Sequence, residues 1–411
     1  MASKKSDYRL DRGAVQDGHL PVTALWGPKT DALRSLAVFA GDYRHQFLDA
    51  LLTVKKAAAH TNGEIGALDK TVARTIGQCC DEILSGQWRD QFLLSTVLIE
   101  GESFLQENVN EVLANRSTVI LGGHVGKYEH VHPDLHVQLN QLPGEVFQVA
   151  LRIALIVNIR SLQSSLLDLE RLLRRKSLEF ERADAVRDLK GIDPAKLISR
   201  KLNIFGARIE RALRRINDVC QNLLEIHWIP KRSGTEYGEH AITTAIFVEK
   251  LKLASNLNFR ASEISSGSMH TVSEFVEAST ALKELAIELQ LICKEVRSEI
   301  EEQRRADKQV NPMNGSQETA EPLYVAPLNT LTMVSIDIVS CDMTLSLCAQ
   351  ESKGKRLTLL PLIAKSLLSS LDALSKTLPV FNAKTLAELR PQSAGSPDLR
   401  PAHIAQTAHH I

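Results

Sequence analysis

The strongest constraint in this 411-residue chain is a repeating seam between residues 272 and 303. Phe275, Ser279, Leu282, Ala286, Leu289, Cys293, Val296 and Ile300 follow one another at alternating four- and three-residue steps, the spacing of a heptad. At 1.5 Å per residue, such a helix is on the order of 45 Å long. No small globule covers it, so it calls for a bundle of comparable helices. Segments 197–228, 238–255 and 326–351 are candidates, the last with Leu331, Val334, Ile338, Cys341, Leu345 and Cys348. Upstream, Val146, Val149, Ala150, Ile153, Val157, Leu162, Leu166, Leu169 and Leu173 predict one more long helix. A last helix is expected after Pro361, over 362–377.

Composition points the same way. Aromatic residues make up only 5% of the chain, and good helix formers dominate, so the fold class is all-α. The 49 basic residues balance 49 acidic ones, which gives no general electrostatic reason to seek nucleic acid or an anionic membrane. No stretch reaches the roughly 20 consecutive apolar residues of a membrane span. The six cysteines are scattered without a CxxC pair, as befits reduced thiols, and Met1 to Asp7 lack an apolar leader core. The expectation is a cytoplasmic protein without a cofactor.

Residues 1–30 read as loop and turn, followed by helical signals over 31–60 and 64–86. Residues 117–144 then change character, with Gly122, Gly123, Gly126, Pro133, Pro143 and Gly144 around four histidines. The expected domains are 1–141, helical; 142–364, the long-helix bundle; and 365–411, a shortened C-terminal domain and tail. Residues 301–327, rich in polar side chains and broken by Pro312, Gly315 and Pro322, read as a loop. Such a loop is either a mobile surface segment or an active-site flap.

Two constellations stand out. His124, His130, His132 and His136 have no standard zinc spacing and lack suitably placed Cys or carboxylate partners, so no metal site is assigned. They read instead as loop histidines that orient backbone or substrate. In Asn108-Val-Asn-Glu-Val-Leu-Ala-Asn115-Arg116, three asparagines and a glutamate interleave with apolar residues. This pattern fits either a buried hydrogen-bond network or an amphipathic helix with a polar outer face. Cys341 and Cys348 share one helical face and read as core thiols.

That asparagine-rich segment resembles the NxNEVxANR signature of the aspartase/fumarase superfamily. Leu20-Pro21 through Ala24-Leu-Trp-Gly27 and Thr30 is similar to its VPxxALWGxxT segment, and Lys56-Ala-Ala-Ala59 to its KxAxA helix. His132-Pro-Asp-Leu-His-Val137 with Gln141 resembles HPNDHV and the glutamine after it. Lys176-Ser-Leu-Glu-Phe180 resembles KAxEF, and 281–297 resembles the central long helix. These matches keep family order from about residue 8 to 364. The resemblance implies a three-domain helical subunit whose long helices assemble into a homotetramer. It also implies β-elimination from a dicarboxylic acid, in which a loop serine removes the Cβ proton and hydrogen-bond donors hold the resulting dianion.

Carried over residue by residue, the resemblance gives a mixed site. Ser103 keeps a hydroxyl at the carboxylate-binding threonine position, but Phe104 replaces the next serine. Leu142, Pro143 and Gly144 replace the substrate-gripping Ser-Thr-Asn. Leu189 and Lys190 fall on the Thr-His pair, with Lys190 as a substitute cation, and Glu236 replaces a glycine of GTGLN. In one register of the loop, Gly315-Ser316 matches GSS, making Ser316 the general base, while Pro322 replaces the binding lysine and Tyr324 the asparagine. In the other, Val310-Asn311-Pro312 matches VNP, keeping Asn311 with Lys308 nearby. The implied site is therefore catalytic Ser316 and Lys190, with substrate contacts from Ser103, Asn108, Asn110, His132, His136, Gln141, Lys308 and Asn311. Two functions follow: a lyase for a bulkier, less polar succinate-type acid, or an inactive pseudo-lyase serving as a structural or binding subunit, alone or mixed with a paralogue.

Overall fold

The computed structural model describes residues 8–11, 18–34, 44–94, 98–99, 102–185, 194–228, 237–262, 272–310 and 323–391. It is dominated by helices: α1 (Pro28–Arg34), α2 (Arg44–Glu64), α3 (Lys70–Leu84), α4 (Phe104–Ile120), α5 (Pro143–Ala185), α6 (Pro194–Leu223), α7 (Tyr237–Ser255), α8 (Ser273–Val310), α9 (Ala326–Gln350) and α10 (Lys353–Phe381). Three two-stranded pairs complete it: β1 (Tyr8–Asp11) with β2 (Gly18–Pro21), β3 (Leu98–Ile99) with β4 (Glu102–Ser103), and β5 (Glu225–Ile226) with β6 (Arg260–Ala261). Only the last is parallel.

The heptad-spaced seam from Phe275 to Ile300 is the core-facing edge of α8. All eight of its residues are buried, none exposing more than 5% of its surface. Upstream, Val146, Val149, Ala150, Ile153, Leu162, Leu166, Leu169 and Leu173 are buried on α5, but Val157 is exposed. Val157 breaks the spacing, falling four residues after Ile153 but five before Leu162, which turns it off the buried edge.

Several boundaries differ from expectation. The first thirty residues are not all loop: Arg9 fastens the β1–β2 hairpin by donating to the carbonyls of Pro21 (2.9 Å), Ala24 (2.6 Å) and Trp26 (3.1 Å) and to the Asp11 carboxylate. Helix α8 continues to Val310, so residues 301–310 are helix rather than loop. Glu, Gln, Arg, Ala and Lys there are good helix formers, and the first breaker is Pro312, which also disfavours helix at the residue before it. Helix α10 begins before Pro361 and runs through it. The missing N–H is outweighed by a continuous buried edge of Leu360, Ile363, Ala364, Leu367, Leu368, Leu371, Leu374 and Leu378. Finally, α9 and residues 357–386 each contain an 18-residue window of mean hydropathy 1.5 and have the length to cross a membrane, although neither holds twenty consecutive apolar residues.

The chain forms two compact units. One comprises residues 1–159, 218–279 and 341–369. Within it, α2 and α3 form a hairpin, α7 packs on α2, and Phe47 meets Phe147 with ring centroids 4.5 Å apart. Asp69 caps α3 by accepting from Thr71 N (2.8 Å) and Val72 N (3.1 Å). Ser279 Oγ donates to the buried Asp342 carboxylate at 2.9 Å.

The other unit comprises residues 160–217, 280–340 and 370–411. Here a ladder of ion pairs links α6 to α8: Lys201–Glu295 (2.6 Å), Arg208–Glu288 (3.1 Å) and Arg215–Glu284 (2.7 Å). The seven-residue steps on α6 place all three cations on one face. Lys176, buried on α5, donates to the Leu389 carbonyl (2.5 Å) and pairs with Glu179 (3.0 Å), fixing the end of the described chain.

Burial and solvent screening divide the labour on α8. Leu289→Ala should cost about 2–5 kcal/mol, whereas its neighbour Glu288→Ala should cost under about 1 kcal/mol and be insensitive to added salt thereafter. Urea unfolding of both variants at low and high ionic strength checks this; similar losses would contradict it.

Candidate active site

Helix α4 is the unusual element of the first unit, because every residue from Phe104 to Asn115 is buried, polar ones included. A buried amide or carboxylate without partners costs several kcal/mol, so its hydrogen bonds decide whether the helix can exist. Glu111 meets the requirement through backbone. Its carboxylate accepts from Gly27 N (2.8 Å), Thr30 N (2.9 Å) and Lys29 N (3.0 Å), holding the free N–H groups at the start of α1. Burial nevertheless raises its pKa above the usual carboxylate value. The approach is so close that a Cβ on Gly27 would lie 2.5 Å from both Glu111 Oε1 and Tyr128 Oη, so only glycine fits.

Asn115 and Asn108 flank Glu111 on the same stripe. Asn115 donates to Leu25 O (2.7 Å) and accepts from Gly126 N (2.7 Å). Asn108 accepts from Leu93 N (2.7 Å) and Leu94 N (3.3 Å) and donates to Gln91 O (3.1 Å). The motif is thus a buried network, and the alternative of a polar outer face does not hold. Beside it, Glu107 pairs with Lys29 at 2.7 Å.

Asn110 faces the other way, toward residues 132–141. Its Nδ2 donates to Gln138 Oε1 at 3.0 Å, while its buried Oδ1 has no hydrogen-bond partner among the described residues. Lys55, only 1% exposed, donates to Gln138 Oε1 (2.5 Å) and Gln141 Oε1 (2.9 Å). Gln141 in turn donates to Val137 O at 2.7 Å. A single turn of π-helix, Pro133–Val137, sits above this cluster. His132 caps it, with Nδ1 accepting from Asp134 N (3.2 Å) and Leu135 N (3.4 Å), and His136 Nδ1 accepts from His132 N (2.9 Å). These bonds assign each ring's proton to Nε2. Burial, then the charge of His132, pushes the His136 pKa below the usual imidazole value.

The structure thus brings Asn110, Gln141, His132 and His136 to one region around residues 132–141, with Asn108 turned toward 91–94. Ser103 immediately precedes α4 and pairs with Leu98 in the β3–β4 hairpin. Lys308 lies in the last turn of α8. The side chains of Ser103 and Lys308, and all of Lys190, Asn311 and Ser316, lie outside the described residues. So does Glu236. Phe104, at a position where the resemblance implies a hydroxyl, is 3% exposed. Among the described residues, no group of three or more His, Cys, Asp or Glu is placed to hold a metal ion.

Lys55 and Gln138 are the residues that sequence reasoning missed. The signal was present: Lys55 follows Leu48, Leu51 and Leu52 on the buried edge of α2, an abnormal place for a lysine. Its neighbour Lys56, the lysine of the KxAxA-like segment, reaches the partly exposed Asp81 at 2.6 Å instead. Two grooves contain none of the expected residues. One, of about 710 Å³, lies between α6 and α8; the other, of about 420 Å³, is lined by His60, Glu64, Lys70, Arg74 and Lys250.

A family model described as lyase matches residues 18–309. Aspartate ammonia-lyase from Bacillus subtilis is 22% identical over 94% of this chain and 82% of its own length. Fumarate hydratase class II from Nitrosomonas europaea is 28% identical over 92% of this chain and 84% of its own. Among solved structures, class II fumarase from Schistosoma mansoni superposes with a TM-score of 0.79 at 18% identity, over 93% of this chain and 85% of that one. A fumarate lyase:delta crystallin structure from Brucella melitensis gives 0.78 at 21% identity, over 93% and 84%.

Two measurements test the network. Asn115→Ala strands a buried carbonyl and a partly buried N–H and should cost about 2–4 kcal/mol in urea unfolding, with no recovery in Asn115→Leu. The lowered His136 pKa means stability is held above the unfolded imidazole value near pH 6.5 and lost as pH falls through the folded one. Thermal melts from pH 7.5 to 5 should therefore fall less steeply for His136→Gln than for the natural chain.

Proposed function

We propose that this chain, which belongs to the aspartase/fumarase superfamily of lyases, eliminates across a carbon–nitrogen or carbon–oxygen bond of a succinate-type acid less polar than aspartate or malate. The observation that carries this reading is the pairing of an intact scaffold with an altered ligand set. The α4 network and the 132–141 turn are in place, while Phe104, Leu142, Pro143 and Gly144 stand where the family grips a dicarboxylate. Loss of two or more carboxylate contacts costs several kcal/mol of binding, which disfavours the ordinary substrates and favours a bulkier, apolar group.

In this reading Ser316 removes the Cβ proton and Lys190 supplies the cation that meets the developing negative charge. Ser103, Asn110, His132, His136 and Gln141 contact substrate, Asn108 shapes the 91–94 wall behind them, and Lys308 with Asn311 serves the alternative loop register. The active unit is a homotetramer. Its support on α9 is an exposed apolar stripe of Met333, Ile336, Met343 and Leu347, each more than half exposed, at helical spacing.

A pseudo-lyase is the second reading. It is favoured by one observation: Asn108, Glu111, Asn115 and Gln141 already satisfy one another's surroundings, so the motif's persistence has a structural cause without catalysis.

A panel of amino- and hydroxy-dicarboxylates and N-substituted succinates, followed by product absorbance, separates the two readings. Turnover abolished by Ser316→Ala supports the lyase; no turnover across the panel, and no change in binding in Ser316→Ala, favours the pseudo-lyase. For assembly, Met343→Glu should convert a tetramer into smaller species by light scattering, and a monomeric natural chain would refute the assembly.

A further inference from the structure

We propose that Lys55 is a proton-linked pin: as the neutral amine it locks residues 132–141 onto α2, and protonation releases that segment. The inference is independent of the lyase reading, since nothing in it involves substrate.

The geometry supports it directly. Lys55 Nζ reaches two amide oxygens, those of Gln138 and Gln141, and both belong to the segment that it holds. An uncharged amine has two N–H groups, and two acceptors are present. Asn110 closes the cage from α4 by donating to the same Gln138 oxygen. No ion pair to Lys55 is formed among the described residues. The charged or titratable groups that face it are Glu107 on α4, Asp134 on the π-turn and Cys80 on α3. Glu107 is already paired with Lys29, and burial keeps Cys80 a neutral thiol by pushing its pKa above the usual range. An ammonium here would sit in an amide cage without a contacting counter-charge, which is costly.

Burial accordingly lowers the lysine pKa from its ordinary 10.5 to about 7. The consequence has a definite sign. A folded lysine with a lowered pKa binds fewer protons than a hydrated one, so the closed segment gains stability as pH rises from about 7 toward 10.5. If opening restores an ordinary lysine, the opening equilibrium should fall about 20-fold between pH 6.5 and 8.5. The His136 titration lies below that window and contributes little to it.

Hydrogen exchange read by mass spectrometry on the full-length protein tests this. After division by intrinsic rates, protection of peptides spanning 132–141 should rise about 20-fold from pH 6.5 to 8.5, while α3 peptides change little. In Lys55→Met the rise should vanish. Protection that is flat with pH in the natural chain, or an equal rise in Lys55→Met, overturns the proposal. Should that variant fail to fold, carbon-13 NMR of the natural protein labelled at lysine Cε decides. One lysine titrating near neutrality supports the pin, and a full set titrating above about pH 9 overturns it.

Discussion

The Glu111 carboxylate, bound to three backbone N–H groups, is the contact on which the first unit depends. It sits in the buried stretch Phe104–Asn115 of α4 and is stable there only because the chain at Gly27–Thr30 presents unpaired donors toward it. Those donors are in place because Arg9 gathers the carbonyls of residues 21–26, and because residue 27 has no side chain. Remove any one of the three and a buried charge loses its partners. The arrangement extends along α4 by helical geometry: Asn108 and Asn115 occupy the turns on either side and secure residues 91–94, 25 and 126 in the same manner.

The bundle rests on a different principle. Its long helices are held by continuous buried edges, and the polar contacts between α6 and α8 are ion pairs at the surface. Lys201–Glu295 and its two companions set the pairing of α6 with α8 without carrying much of the energy. The burial of Leu282, Leu285, Leu289, Ile292 and Val296 carries that. Periodicity shows such cores in a sequence because one side of a helix must repeat itself over its whole length. For this reason the eight-residue α8 seam was legible to the residue, and the one poor match on α5, Val157, coincides with an irregular step.

What sequence did not show has physical causes too. Propensity carried α8 ten residues into a segment read as loop, because a polar run looks alike whether it is helix surface or coil until a proline intervenes. The role of Lys55 was hidden by its charge. A lysine beside a second lysine reads as solvated, and only its place on the Leu48–Leu51–Leu52 edge betrays it. Within the candidate site, the motif residues were found but their partners were not. Asn108 looks like a ligand contact in a linear string, whereas its hydrogen bonds run to a loop fifteen residues away.

These two classes of residue diverge under different constraints. Replacing Glu111, Asn108 or Asn115 leaves buried backbone groups without partners, so any descendant that folds must keep them whatever it binds. Phe104 and Leu142–Gly144, where the resemblance implies ligand contacts, are not among the groups that hold residues 25, 27–30, 91–94 and 126. In this chain Phe104 is buried and carries no polar side-chain group to pair. A superfamily signature can therefore persist at full strength while the substrate changes or is lost. The motif identifies the scaffold, and chemistry must be sought in the residues that the scaffold does not need.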